Sequence, residues 1–142
     1  MEATAQGTAF VTALEAAWPT QEPQAVEWLE ALKGAESATC IVTWSYCVAV
    51  GIHCAAHGVD RAQAIPAYLH AFAANLVSAA VRAAVPLGQS DGQRVIAGLE
   101  PVISEVSADA LSASLDDLDS ASFAADIASQ LHETQYTRLF RS

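Results

Sequence analysis

Four side chains of metal-binding type lie close together in the sequence: Cys47, His53, Cys54 and His57. On a helix, His53 and His57 are one turn apart, and Cys54 and His57 have i,i+3 spacing, so each pair could face one transition-metal ion. The alternative is that the cysteines are small core hydrophobes and that the histidines are core residues with satisfied polar atoms. One helix face supplies too few ligands to close a site, so we predict no metal and no cofactor. A metal carrier that uses His53, Cys54 and His57 is the alternative function.

The sequence offers only weak candidates for catalysis. Ser90, Asp126 and His132 are the residue types of a catalytic triad, but such a set can be assembled from almost any sequence. The chain contains no nucleophile elbow and no zinc-protease helix motif. We therefore predict that it is not an enzyme.

The run Gly88–Gly92 resembles a phosphate-binding loop in composition only. It lacks the Gly-Lys-Ser/Thr ending whose lysine contacts phosphate, and Lys33 is the single lysine of the chain. This argues against nucleotide hydrolysis.

The chain is strongly acidic, with six Lys and Arg against sixteen Asp and Glu and a net charge of -10. Such a charge repels phosphate backbones and anionic lipid, which argues against nucleic-acid and membrane partners. No lysine or arginine lies between Arg94 and Arg138, and Glu105 and Asp109 are one helical turn apart in this interval. We interpret these carboxylates as a solvated face, or as a surface for a basic partner, rather than as an acid–base pair.

The cysteines and the first residues indicate the compartment. All three cysteines lie in the segment 40–54, and the first residues contain no charged n-region followed by an apolar h-region. No secretory signal is predicted, and an odd number of free thiols suits a reducing environment. We predict a cytoplasmic protein.

Apolar residues recur at helical spacing through nearly the whole chain, and alanine is abundant. This pattern predicts an all-α fold, a helical bundle of about six helices. The first helix is predicted over Thr8–Trp18, before Pro19, and the second from Glu22 to Gly34.

Two long segments, Ser37–Val59 and Ala62–Val81, contain no charged residue. Each is long enough to cross a membrane, so a membrane hairpin is an alternative. Polar residues inside both segments, and the absence of a flanking basic cluster, oppose it. We prefer two central helices of a bundle, joined by a turn in which Gly58 ends the first helix and Asp60 caps the second.

The second of these helices has an apolar stripe at three- and four-residue spacing, and its other faces are uncharged. The stripe contains Ile65, Leu69, Phe72, Leu76, Ala80 and Ala83. A helix that is apolar on most sides is buried on most sides, either by its own domain or by a neighbour.

Further helices are predicted in the second half of the chain. Ser90 and Gln93 are expected to form a capping box for the next helix, which Pro101 is expected to kink or divide. A short helical turn and a loop are predicted over Leu115–Ser122, and a last helix over Phe123–His132.

The end of the chain combines aromatic and basic residues. Tyr136, Leu139 and Phe140 fit one helical face, beside Arg138 and Arg141. These types dominate binding hot spots, so we predict a tail that binds a partner and becomes ordered on binding. The alternative is an ordinary terminal helix docked on its own domain.

Two long motifs resemble a known family. The first comprises Ala67–Phe72, Asn75–Arg82 and Pro86–Arg94, and the second comprises Asp126–Ser129 and His132–Ser142. In order and spacing they resemble the core helix, the following loop and the C-terminal signature of the UreF family of urease accessory proteins.

The resemblance implies an all-helical protein without catalytic activity that forms a homodimer, binds the accessory protein UreD (also called UreH) and recruits the GTPase UreG. That assembly delivers nickel to the urease apoprotein, using GTP and a bicarbonate-derived carbamate on the active-site lysine. The resemblance also implies two sets of functional residues: a tail set that contacts the partner, and a loop set that either lies in an interface or fixes the loop. The tail set is His132, Glu133, Gln135, Tyr136, Arg138, Leu139, Phe140 and Arg141, and the loop set is Arg82, Gln89, Asp91, Gln93 and Arg94.

The resemblance is clear from about Thr43 to the end of the chain and weak over residues 1–37. It implies that the N-terminal segment of the family is missing from this sequence. We predict a single UreF-like helical domain over residues 1–142, with residues 133–142 as its tail.

Overall fold

The computed structural model describes residues 2–34, 44–82, 88–118 and 122–134. In these ranges it contains six α-helices and one 3-10 turn and no strand, which confirms the predicted all-α fold. The helices are α1 Glu2–Ala17, α2 Pro23–Gly34, α3 Tyr46–Ala56, α4 Arg61–Arg82, α5 Gln89–Ser112 and α6 Phe123–Glu133, and the 3-10 turn is Leu115–Asp117. The chain divides into two compact units, Met1–Ala67 and Tyr68–Ser142.

In the first unit, α1 packs on α3 through aromatic rings and one close backbone approach. Phe10 meets Tyr46 and His53 edge-on, with ring centroids 5.6 Å and 6.0 Å apart. Gly7 is buried against the backbone of Trp44, and a side chain there would collide with the Trp44 carbonyl oxygen. The small size of Gly7 therefore allows α1 to reach the residues that precede α3.

α1 begins at Glu2 rather than at the predicted Thr8. The residues before Thr8 contain no proline, and the Thr8 hydroxyl donates to the carbonyl oxygen of Thr4 at 3.0 Å within the helix. Because alanine is the best helix former and no proline intervenes, the helix extends through this stretch although it contains Gly7.

The second helix and the α3–α4 turn agree with the sequence. α2 starts at Pro23 and ends at Gly34. Gly58 has a φ of 67°, which suits the residue after a helix end, and Asp60 Oδ1 accepts a hydrogen bond from the amide of Ala62 at 2.7 Å. The predicted turn and cap are both confirmed.

The predicted cap of α5 is wrong in register. The helix starts at Gln89 with Gly88 at the N-cap, and the Asp91 carboxylate, not the side chain of Gln93, accepts from the backbone of the N-cap residue. Ser90 therefore lies inside the first turn. A carboxylate is a stronger acceptor than an amide oxygen, and its charge is favoured at a helix N-terminus.

Pro101 does not divide α5, which is continuous from Gln89 to Ser112. The neighbouring turns keep the helix intact around the one backbone bond that proline cannot make. The predicted short turn is the 3-10 turn Leu115–Asp117, and the predicted last helix is α6, so both of these predictions are confirmed.

α4 has the length and composition of a membrane-spanning helix: it has 22 residues, and an 18-residue stretch of it has a mean hydropathy of 1.4. It is the only described helix that meets this test. α3, in the other uncharged segment, has 11 residues and is roughly 16 Å long, about half of a bilayer core. Residues 37–43 of that segment lie outside the described part of the chain, and within the described residues only one of the two predicted spans is a helix long enough to cross a membrane.

Candidate partner-binding surfaces

The loop that begins α5 is held by Asp91. Its Oδ1 accepts from the guanidinium of Arg94 at 2.6 Å, and its Oδ2 accepts from the amide of Gly88 at 3.2 Å. The ion pair is largely exposed, so it contributes at most about 1 kcal/mol. Asp91 and Arg94 thus have a local role in fixing the loop, one of the two roles that the resemblance allows.

The other residues of the loop set are exposed near the same loop. Arg82 ends α4, and Gln89 and Gln93 lie in the first turns of α5, each with an exposed side chain. A partner can therefore reach all three.

An apolar groove of about 500 Å³ lies between α4 and α5 in the second unit. The helices approach closely at Gly92, where a Cβ atom would stand 2.8 Å from Val77 Cγ1. The groove is lined by Leu69, Phe72, Ala73, Leu76, Val77 and Ala80 of α4 and by Val95, Leu99, Val102, Ile103 and Val106 of α5.

The stripe of α4 is less buried than the sequence suggested. Phe72 is 52% exposed and Leu76 is 59% exposed, although both belong to the predicted buried face. The described part of the chain, which does not include Ala83 of the stripe, does not cover them. Burial by a neighbour is the other possibility that the pattern allowed, and it is consistent with this exposure.

α6 carries a second exposed apolar stripe. Phe123, Ile127 and Leu131 are spaced four residues apart, so they lie along one face, and they are 71%, 58% and 63% exposed. Sequence analysis did not identify this stripe as a site, although the spacing is visible in the sequence.

The histidines of the Cys/His cluster lie among aromatic rings. His53 is 3% exposed, and its ring packs edge-on against Phe10 and Trp44 at 6.0 Å and 6.4 Å. His57 is half-buried, with its ring 6.0 Å from that of Trp18. The burial of His53 favours the core interpretation, but its Nε2 atom is buried without a hydrogen bond within the described part of the chain, so the expected satisfaction of its polar atoms is not met at that atom.

The cysteines add little to a metal site. Cys54 is half-buried, and Cys47 is exposed with its Sγ 3.2 Å from the Ser45 hydroxyl. Among the residues that the structure describes, no three or more His, Cys, Asp or Glu side chains are grouped to hold a metal ion.

Comparison with known proteins decides the family. The UreF family model matches residues 1–100, well over half of the chain. The chain belongs to the UreF family. It is 51% identical to the urease accessory protein UreF of Rhodopseudomonas palustris strain BisA53, 48% identical to that of Bradyrhizobium sp. strain BTAi1 and 49% identical to that of Bradyrhizobium diazoefficiens.

These alignments cover 100% of the chain and 54–55% of each relative, so the chain spans about half the length of the curated UreF proteins that it matches. They include residues 1–37, where the motif resemblance is weak. UreF proteins are named as accessory proteins of urease, an accessory rather than a catalytic role.

The tail motif of UreF lies mainly outside the described residues. His132 is half-buried near the end of α6, and Glu133 is the last residue of that helix. The remaining residues of the tail set lie outside the described part of the chain: Gln135, Tyr136, Arg138, Leu139, Phe140 and Arg141. The partner-binding role of this UreF tail stays a prediction.

One carboxyl group of this UreF chain has a clearly shifted pKa. The backbone amide of Ser114, and then its hydroxyl, donate to Asp117 Oδ2 at 2.8 Å and 2.9 Å, which lowers the Asp117 pKa below its ordinary value of 3.8. These bonds fix the 3-10 turn that carries the exposed Leu115 and precedes the exposed Leu118.

Proposed function

We propose that this chain acts in the cytoplasm as a non-catalytic scaffold of urease maturation. It links UreD (UreH) to the GTPase UreG, so that nickel is inserted into the urease apoprotein, and it works as a homodimer. The observation that carries the proposal is the exposed apolar groove between α4 and α5, in a chain that belongs to the UreF family.

The groove has the composition of a protein interface rather than of a catalytic cleft. All eleven lining residues are apolar, so it offers no nucleophile, acid or base. Half-exposed aromatic and aliphatic side chains such as Phe72 and Leu76 gain free energy when a partner removes them from water. A groove between two helices typically accepts an apolar helix face.

The proposal assigns separate roles to the two predicted residue sets. The tail set is the main contact with UreD, because aromatic and arginine side chains are the usual binding anchors. In the loop set, Asp91 and Arg94 hold the loop in place, while Arg82, Gln89 and Gln93 offer exposed polar groups to a partner.

The first experiment tests the groove by capture of purified UreD, followed by UreG. The double variant Phe72→Ser with Leu76→Ser should lose capture, because it places two hydroxyls in the apolar lining of the groove. Leu115→Ser with Leu118→Ser is the matched control, since these leucines are 84% and 79% exposed but do not line the groove. The control should capture as well as the unaltered chain.

A second experiment removes residues 133–142. The shortened chain should lose UreD, and the loss of UreG should follow because UreG joins after UreD. If the unaltered chain is folded and monodisperse but captures neither protein, the scaffold proposal for this chain is wrong.

A further inference from the structure

A pocket of about 920 Å³ lies in the first unit, between α2 and the C-terminal end of α3. We call it the acidic pocket. Its walls include Thr20, Glu22, Glu27, Trp28 and His57. None of these belongs to the tail or loop sets, so the proposed function leaves the acidic pocket unassigned.

The acidic pocket is built by two local features. The Thr20 hydroxyl donates to the carbonyl oxygen of Ala56 at 3.0 Å, which ties the α1–α2 connection to the end of α3. Gly58, with its φ of 67°, turns the chain away directly after this helix. As a result, residues 55–58 at the end of α3 form one wall of the pocket.

Three kinds of group give this pocket an affinity for positive charge. Glu22 and Glu27 are exposed carboxylates in its wall. The C-terminal end of α3 adds the negative end of a helix dipole. The indole of Trp28, 42% exposed, offers an aromatic face to a cation.

No lysine or arginine is among the described residues that line the acidic pocket, so no lining side chain neutralises it. A smaller pocket of about 250 Å³ adjoins it through Thr20 and His57. This second pocket is lined by Glu15, Glu30 and Trp18, and also by the apolar side chains of Pro19, Val26 and Leu29.

We propose that the acidic pocket binds an arginine-bearing, extended segment of a partner protein. A planar guanidinium stacks on aromatic faces and pairs with carboxylates better than an ammonium does, and the pocket wall offers both partners, Trp28 and the carboxylates of Glu22 and Glu27. The volume is at the upper end of the range for ligand sites, so it accommodates several residues rather than one isolated ion.

The test uses a short glycine–arginine peptide and the same peptide with citrulline in place of arginine. Citrulline keeps the shape and removes the charge. Binding is followed through the indole N–H resonance of Trp28. The arginine peptide should shift this resonance to saturation, and the citrulline peptide should bind at least about tenfold more weakly.

Matched variants locate the binding site. Glu22→Gln with Glu27→Gln should weaken binding of the arginine peptide by roughly tenfold. Glu100→Gln with Glu105→Gln makes the same change of charge on exposed positions of α5 and should leave the affinity unchanged. Trp28→Leu should weaken binding without loss of helix content by circular dichroism.

Three outcomes overturn the proposal. Equal binding of the citrulline peptide shows that charge is not recognised. An equal loss in the α5 variant shows only a long-range effect of net charge. Spermidine that binds as tightly as the peptide assigns the pocket to a free polyamine. None of these outcomes depends on UreD or UreG, so failure here is distinct from failure of the scaffold proposal.

Discussion

At the scale of single residues, Gly92 sets how closely α5 approaches α4. A Cβ atom there would stand 2.8 Å from Val77 Cγ1, and valine has little rotamer freedom in a helix. We predict that Gly92→Ala lowers the free energy of unfolding by about 1–3 kcal/mol through overpacking. Urea denaturation followed by circular dichroism measures the change.

Gly98, on the same helix, is the control for this prediction. A Cβ atom at Gly98 meets no atom within 4 Å, so alanine there should stabilise the chain by about 0.5–1 kcal/mol through helix propensity. The opposite signs of the two substitutions are the test. If both substitutions stabilise the chain, the close contact at Gly92 does not exist in solution.

The Asp117 carboxyl gives a prediction about pH. The hydrogen bonds from Ser114 lower the pKa of Asp117 in the folded chain, so they stabilise the 3-10 turn above pH 3.8, and this contribution is lost as pH falls through the folded pKa. Ser114→Ala should raise the Asp117 pKa but leave it below 3.8, because the backbone amide still donates. Carboxyl carbon shifts in an NMR titration measure both values, and an unchanged pKa contradicts the assignment.

At the scale of helices, the start of α4 depends on one cap. Asp60 Oδ1 accepts from the Ala62 amide at 2.7 Å, and Asp60→Ala removes that acceptor. We predict a loss of about 1 kcal/mol in the free energy of unfolding and faster hydrogen exchange in the first turn of α4. Asp60→Asn keeps an oxygen acceptor and should restore most of the loss. A variant Asp60→Ala as stable as the unaltered chain would show that the cap is not formed.

Local signals explain which helices the sequence predicted. The α3–α4 turn is encoded by two adjacent signals, a glycine that accepts positive φ and an aspartate that caps, and both occupy their predicted places. At the start of α5, both Asp91 and Gln93 have a side-chain oxygen that could accept from the N-cap backbone. The sequence alone did not show that Asp91 would be the acceptor. The start of α1 was missed because nothing in the preceding residues marks a boundary.

The candidate surfaces were predicted less completely than the helices, because they depend on packing between distant residues. The apolar stripe of α4 is visible in the sequence, but whether Phe72 is covered depends on what packs beside it. The acidic pocket requires the hydrogen bond between Thr20 and Ala56, which are 36 residues apart. No periodicity or motif encodes such a contact.

At the scale of the whole chain, the high hydrophobic content of the sequence corresponds to a large exposed apolar surface in the described residues. Hydrophobic residues are 53% of the sequence, yet few large side chains in the described ranges are buried; Leu29, at 5% exposure, is the clearest. Exposed apolar area remains on α4, α5 and α6. Protein surfaces of this kind are usually covered in an assembly, which is what a scaffold requires.

Because a partner would cover this exposed apolar surface only in the folded chain, partner binding should stabilise the fold. A partner that binds only the folded chain stabilises it by about 2.7 kcal/mol when its free concentration is a hundred times the Kd. We predict that purified UreD raises the Tm of the chain in a concentration-dependent way, measured by differential scanning calorimetry. The Phe72→Ser, Leu76→Ser variant should show a much smaller rise, and the Leu115→Ser, Leu118→Ser control should show the full rise. An equal rise in all three chains would place the UreD contact outside the α4–α5 groove.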